Sequence, residues 1–259
     1  MYTWCSYCQK FLGEFEPKND YRISHGTCAS CRVRIASESE TLISHAKPMK
    51  EFFSSIRKDL LARKNRNASV LLEQAKALGI APLDILAGIM QPLLYEIVQL
   101  QKVGEATSQQ EHDFSVLVDG IFAEIRRIPS GTPRVLLACA DGNYHVFGPR
   151  LIQEYLFKEG ISARCLYPSL PFEDIMAAAE EDSIKVIGIS VAAPEQTENV
   201  LAHWKEYYRT PSAKDKPTLI LGGMGLSCHL KLPANTYAHT GNLNDLKALV
   251  QGLLLDKGA

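Results

Sequence analysis

The sequence predicts an α/β protein whose C-terminal half is a doubly wound parallel sheet, preceded by a helical bundle and a small knuckle built on four cysteines. Three observations carry this. Two CxxC pairs open the chain, helical hydrophobic period dominates from Pro48 to Arg127, and β-rich and helix-like stretches alternate from Pro133 onward. The implied segments are 1–36 for the knuckle, 37–65 for a linker and helix, 66–130 for the bundle and 131–259 for the sheet domain. At 259 residues and 46% hydrophobic content, the chain has material for about two domains with buried cores.

Composition narrows the function classes. Formal net charge is -1 with a pI near 6.7, and no basic stripe interleaves with aromatics, so no direct nucleic-acid partner is expected. No apolar run reaches the ~18 residues of a membrane span. The start, with Trp4 and Cys5, is unlike a basic-then-apolar leader, so a cytoplasmic protein without membrane association is expected. Seven cysteines, an odd number in a reducing compartment, argue against a disulfide framework.

Four of the cysteines fit a metal site. Cys5-Ser6-Tyr7-Cys8 and Cys28-Ala29-Ser30-Cys31 are separated by 19 residues, the loop length of four-thiolate zinc ribbons. Each CxxC turns two sulfurs toward one ion, and a segment of ~35 residues needs that ion to fold. The competing readings are unrelated cysteines or a redox CxxC, and the latter lacks a surrounding βαβ pattern. His25 is a further candidate ligand, but four thiolates already close a structural site.

The stretch Ile35–Lys47 is polar and reads as a linker. Pro48 then suits the first turn of an amphipathic helix to about Lys64, with Met49, Phe52, Phe53, Ile56 and Leu60 on one face. Helical period recurs over Ser69–Leu78, Pro82–Leu100 and Ser108–Arg127. In the second, Leu83, Leu86, Ile89, Met90, Leu93, Leu94 and Ile97 form a broad apolar face; Phe114, Leu117, Val118, Ile121, Phe122 and Ile125 do so in the third. A small bundle follows, with a kink expected at Pro92. Ser108-Gln109-Gln110-Glu111 has the form of a capping box, which would commit Glu111 to the helix end.

After Pro133, strands are predicted at Arg134–Ala140, Ser162–Leu166, Ser183–Ser190 and Thr218–Leu221. Helices are predicted at Pro149–Lys158, Phe172–Glu180, Glu195–Tyr208 and Leu243–Leu255. Ligands bind such sheets at the carboxyl ends of the strands. That rim carries Asp141-Gly142-Asn143-Tyr144-His145-Val146-Phe147-Gly148 after the first strand, Ser190 at the end of the third and Gly222-Gly223 after the fourth.

His-x-x-Gly, Ser and Gly-Gly in this order resemble the cobalamin-binding domain of methionine synthase, corrinoid methyl carriers and cobalamin-dependent photoreceptor repressors. The resemblance covers about Ser69 to Leu255. It implies a Rossmann-like (flavodoxin-like) fold that binds vitamin B12 beneath a helical cap. His145 would be the lower axial ligand to cobalt, with Asn143 and Ser190 beside it. Gly148, Gly222 and Gly223 would let backbone approach the nucleotide tail. In the photoreceptor group the cap presents a tryptophan followed ten positions later by a Glu-His pair that faces the upper side of the corrin. Glu111-His112 matches the pair, but Gln101 stands where the tryptophan would be.

Asn143 also departs from the family, which has Asp two residues before the histidine; an amide performs poorly the proton tuning that a carboxylate supplies in methyl carriers. The expected function is therefore a corrinoid-binding sensor or regulatory adaptor, light-responsive by resemblance, acting through a protein partner at the zinc module or the cap. The alternatives are a corrinoid carrier subunit of a methyltransferase and a heme sensor with His145 or His112 on iron. No stand-alone catalytic constellation is visible.

Overall fold

The computed structural model describes residues 1–17, 20–37, 44–64, 66–125, 131–166, 169–209, 216–226, 231–240 and 242–256. The chain divides into two compact units, Met1–Arg126 and Arg127–Ala259.

The first unit opens with a three-stranded sheet of β1 (Tyr2–Cys5), β2 (Phe11–Glu14) and β3 (Ile23–Gly26) in the order β2-β1-β3. Helix α1 (Ala29–Ser37) follows, so the expected linker starts later than Ile35; residues 38–43 of it lie outside the described residues. Helix α2 (Ala46–Leu61) takes Pro48 into its first turn and buries Met49, Phe52, Phe53 and Ile56, as the period requires. Asn67 caps α3 (Ala68–Ala77), its Oδ1 accepting from the N–H groups of Ser69 at 2.9 Å and Val70 at 3.2 Å.

The next helix runs from Pro82 to Lys102 in three stretches: α4 (Pro82–Ile85), a π turn (Leu86–Met90) and α5 (Gln91–Lys102). Pro92 has no amide to send to Gly88, and the widened turn just before it absorbs that lost bond. By length and mean hydropathy alone this helix could cross a membrane, although Asp84, Gln91 and Glu96 interrupt its apolar run as the sequence indicates; half of its apolar window is buried inside the protein. That is the signature of a core helix. Arg57 ties α2 to α5 by a forked ion pair with Glu96, at 2.6 to 2.9 Å.

Helix α6 (Ser108–Ile125) buries Phe114, Val118, Ile121 and Phe122; its expected end at Arg127 lies outside the described residues. Its capping box sits one residue earlier than expected. Thr107 N–H donates to Gln110 Oε1 at 2.8 Å and Gln110 N–H donates to Thr107 Oγ1 at 3.3 Å, so Glu111 is not the capping residue. The Gln110 amide also donates to the Leu61 carbonyl at 2.9 Å, fixing α6 to the end of α2.

The second unit is a five-stranded parallel sheet in the order β5-β4-β6-β7-β8: β4 (Val135–Cys139), β5 (Ala163–Cys165), β6 (Val186–Ser190), β7 (Thr218–Gly222) and β8 (Thr236–His239). It is a Rossmann-like α/β fold. Every residue of β4 is buried, because helices cover both faces of the sheet. Ile187, Ile189, Leu219 and Leu221 pack with Ile175 of α8 (Phe172–Glu181) and Trp204 of α9 (Pro194–Arg209). Val135, Leu137, Val186 and Ile220 pack on the other side with Leu156 of α7 (Phe147–Lys158) and Val250 of α10 (Leu243–Asp256). Alternate residues of each strand therefore feed opposite cores. The chain passes from β4 to β5 on one side, then returns to β6 on the other. That reversal opens a crevice beyond the carboxyl ends of β4 and β6.

The cap geometry makes a stability prediction. Gln110→Ala should cost about 1 kcal/mol or more in urea unfolding, because a cap and a buried bond are lost together. Glu111→Ala should stay within about 0.5 kcal/mol of the parent. A larger loss at Glu111 would return the capping role to it.

Candidate functional site

The loop after β4 carries the main site. Its backbone is organised by Asn143, which is 1% exposed. The Asn143 Nδ2 group donates to the Ser190 carbonyl at 2.9 Å and reaches Ser190 Oγ at 3.4 Å, while Oδ1 accepts the His145 N–H at 3.0 Å. One buried amide thus joins the ends of β4 and β6 and sets the backbone of His145. Leaving such a group unpaired would cost about 1–3 kcal/mol. The His145 side chain itself is exposed on the loop after β4, and its imidazole has no hydrogen bond with the described residues.

Sequence reasoning missed the second strap on this loop. Gln196, in the first turn of α9, accepts the Ala192 N–H at 2.8 Å and donates to the Asp141 carbonyl at 3.1 Å. A glutamine three residues into a helix has no signature, so only the fold reveals it. Beneath the loop, the buried Cys139 thiol points to the His145 carbonyl at 3.7 Å, and burial pushes it up to about 11. Burial, then the neighbouring Cys139, pushes Cys165 up to about 12. Neither thiol is poised to react.

The glycines divide into two kinds. Gly223 has φ +114, and a Cβ there would lie 2.2 Å from the Val191 carbonyl oxygen, so the fold itself demands glycine. Gly225 is pressed on Ala193 in the same way. Gly222 would meet only an ordinary contact at 3.6 Å, and at Gly148 nothing lies within 4 Å. The last two leave room for something other than protein. Tyr144 and Met224, 71% and 63% exposed, give the rim two large apolar side chains.

The first unit holds the other predicted residues. Cys5, Cys8, Cys28 and Cys31 converge, with all four sulfurs within 4.8 Å of one another and Cys8 Sγ 3.6 Å from Cys28 Sγ. A zinc tetrahedron with bonds of about 2.3 Å has sulfurs about 3.8 Å apart, so the donor set fits that ion. Knuckle amides point at sulfur: the Cys28 N–H at Cys5 and the Cys31 N–H at Cys28, both 3.4 Å. Burial opposes ionisation of Cys5, but the amides around it outweigh burial and bring it down to about 6. Burial, then the neighbouring thiols, pushes Cys31 up to about 12. A metal must displace that proton, so loading weakens as pH falls. His25 lies outside the cluster, in β3, where burial lowers its affinity for a proton.

Gln101 lies near the end of α5, half-buried; Glu111 is half-buried and His112 exposed on α6. The six described cysteines are free thiols.

No protein-family model and no curated protein matches this chain. Solved structures do. The monomethylamine corrinoid protein of Methanosarcina barkeri aligns with a TM-score of 0.61 and 17% identity, over 79% of this chain and 99% of that one. The methanol:cobalamin methyltransferase complex of the same organism gives 0.41 and 15%, over 86% and 89%. A cobalamin-binding protein of Desulfitobacterium hafniense gives 0.39 and 13%, over 78% and 98%. The first of these shares the fold.

The glycine contrast is testable. Gly223→Ala should destabilise the apo protein by about 1–3 kcal/mol from strain and overlap, whereas Gly148→Ala should be neutral or stabilising by up to about 1 kcal/mol. Equal effects in thermal unfolding would contradict the division.

Proposed function

We propose that this chain binds a corrinoid, with His145 as the lower axial ligand to cobalt. The observation that carries the reading is the exposed His145 imidazole, without a hydrogen-bond partner among the described residues, on a loop set by a buried Asn143–Ser190 bond at the switch point of a parallel sheet. The fold shared with a corrinoid protein supports it. Asn143 and Ser190 hold the loop, Gly223 shapes the neighbouring turn, and Gly148 and Gly222 leave space for the nucleotide tail. When bound, the corrinoid supplies cobalt, and His145 supplies one nitrogen to it. Glu111, His112 and Gln101 are assigned to its upper side on the family resemblance. We also assign zinc to the four cysteines, on donor type and sulfur spacing.

In use, the protein is a regulatory adaptor that responds to its corrinoid, light being the candidate signal, and passes the response to a protein partner through the cysteine module or the helical unit. Asn143 favours this use, because both ends of its amide are committed and it carries no titratable proton. The second reading, a methyl carrier, draws support from the corrinoid protein of similar fold. A heme sensor is the third, and its absorption bands would identify it at once.

Two measurements check these readings. The protein loaded with hydroxocobalamin should show an imidazole-coordinated spectrum, and His145→Ala should leave the melting temperature near the parent's while weakening binding at least about tenfold or changing that spectrum. An unchanged spectrum and affinity in the variant would remove His145 from cobalt. Cysteine replacement at 28 and 31 by serine should abolish uptake of one zinc per chain; full retention would remove the zinc assignment.

A further inference from the structure

We infer that the four-cysteine site is a metal-dependent lock on the helical unit, so that metal occupancy controls the order of the helix from Pro82 to Lys102. This rests on the zinc assignment above and is independent of corrinoid binding.

The coupling starts at Trp4, the residue before the first metal-ligand candidate. Trp4 is fully buried, at 0% exposure, and leans on Phe11 across the β1–β2 pair with ring centroids 5.4 Å apart. Both rings press on Gly88, in the π turn. A Cβ at Gly88 would lie 2.2 Å from Trp4 Cζ2 and 2.7 Å from Phe11 Cδ2. The indole therefore occupies the space of a side chain at the weakest point of this helix, where the hydrogen-bond register already shifts ahead of Pro92.

Two further links leave the same module. Tyr21 lies tilted against Tyr95 of α5 with ring centroids 6.0 Å apart, and the Ser6 carbonyl, inside the first CxxC, accepts the His45 N–H at 2.7 Å just before α2. The module touches α2, the π turn and α5 through residues beside or between the cysteines. Strands of four residues cannot hold this arrangement alone, and sulfur–metal bonds are the strong constraint available. With the metal gone, Cys5 is free to move, Trp4 loses its fixed seat, and the π turn loses the wedge that fills it.

Hydrogen exchange of the full-length zinc-loaded chain, before and after a zinc chelator, tests this. Amides of 82–102 should exchange about tenfold faster after chelation, and β4 and β6 should be unaffected. Trp4→Ala keeps the four cysteines; it should still bind one zinc, yet its 82–102 amides should exchange as in the chelated parent. If the chain takes up no zinc, the assignment and the lock fall together. If zinc binds but chelation opens only 1–37, or the zinc-loaded Trp4→Ala protein stays protected across 82–102, the lock alone is overturned.

Discussion

The second unit depends on one buried amide. Asn143 stands where β4 and β6 diverge, and the three contacts of its side-chain amide join the end of β6 to the backbone of His145 after β4. Crevices at switch points exist in every sheet of this order, because the two crossovers run to opposite sides. What distinguishes this one is that the loop carrying the exposed His145 is tied to both strand ends. Gln196 adds a second strap from the first turn of α9, and Gly223 lets the third loop close against Val191. The site is thus made by backbone held from beneath, which leaves the exposed side chains for a ligand.

The first unit is organised by a different principle. Its helices carry an ordinary apolar core, but the N-terminal sheet is too small to contribute one. It is anchored by inserting two aromatic rings against a glycine and by a set of thiols that a metal would close. Burial of a tryptophan in such a seat is worth several kcal/mol, since truncating one to alanine typically costs about 3–5 kcal/mol. The ring and the sulfur cluster are adjacent in sequence, so the folding of the module and the shape of the helix beside it become one problem.

Much of this was legible in the residues, for physical reasons that differ by element. The buried run Val135–Cys139 and the 3.6-residue periods of α2, α5 and α6 report burial directly. Paired CxxC spacing points to sulfurs that could share one ion, and the structure does bring those sulfurs together. β1 to β3 were not expected, because four residues are too few to show alternation, and β8 was missed for the same reason. The capping box was displaced by one residue because Thr107–Gln110 and Ser108–Glu111 satisfy the same pattern. Gly148 and Gly223 look alike in sequence, yet one faces open space and the other a carbonyl oxygen. Asn143 read as a departure from a family pattern; that its amide is a buried staple required the neighbouring strand to be in place.

The central claim is that a nitrogen of His145 coordinates cobalt, and electron paramagnetic resonance of the cobalt(II) corrinoid form addresses it directly. Coordination by His145 predicts a three-line nitrogen superhyperfine pattern that becomes two-line when the protein, but not the corrinoid, carries nitrogen-15 histidine, and that disappears in His145→Ala. A pattern unchanged by labelling the protein would mean that the corrinoid keeps its own base on cobalt, and would contradict ligation by His145.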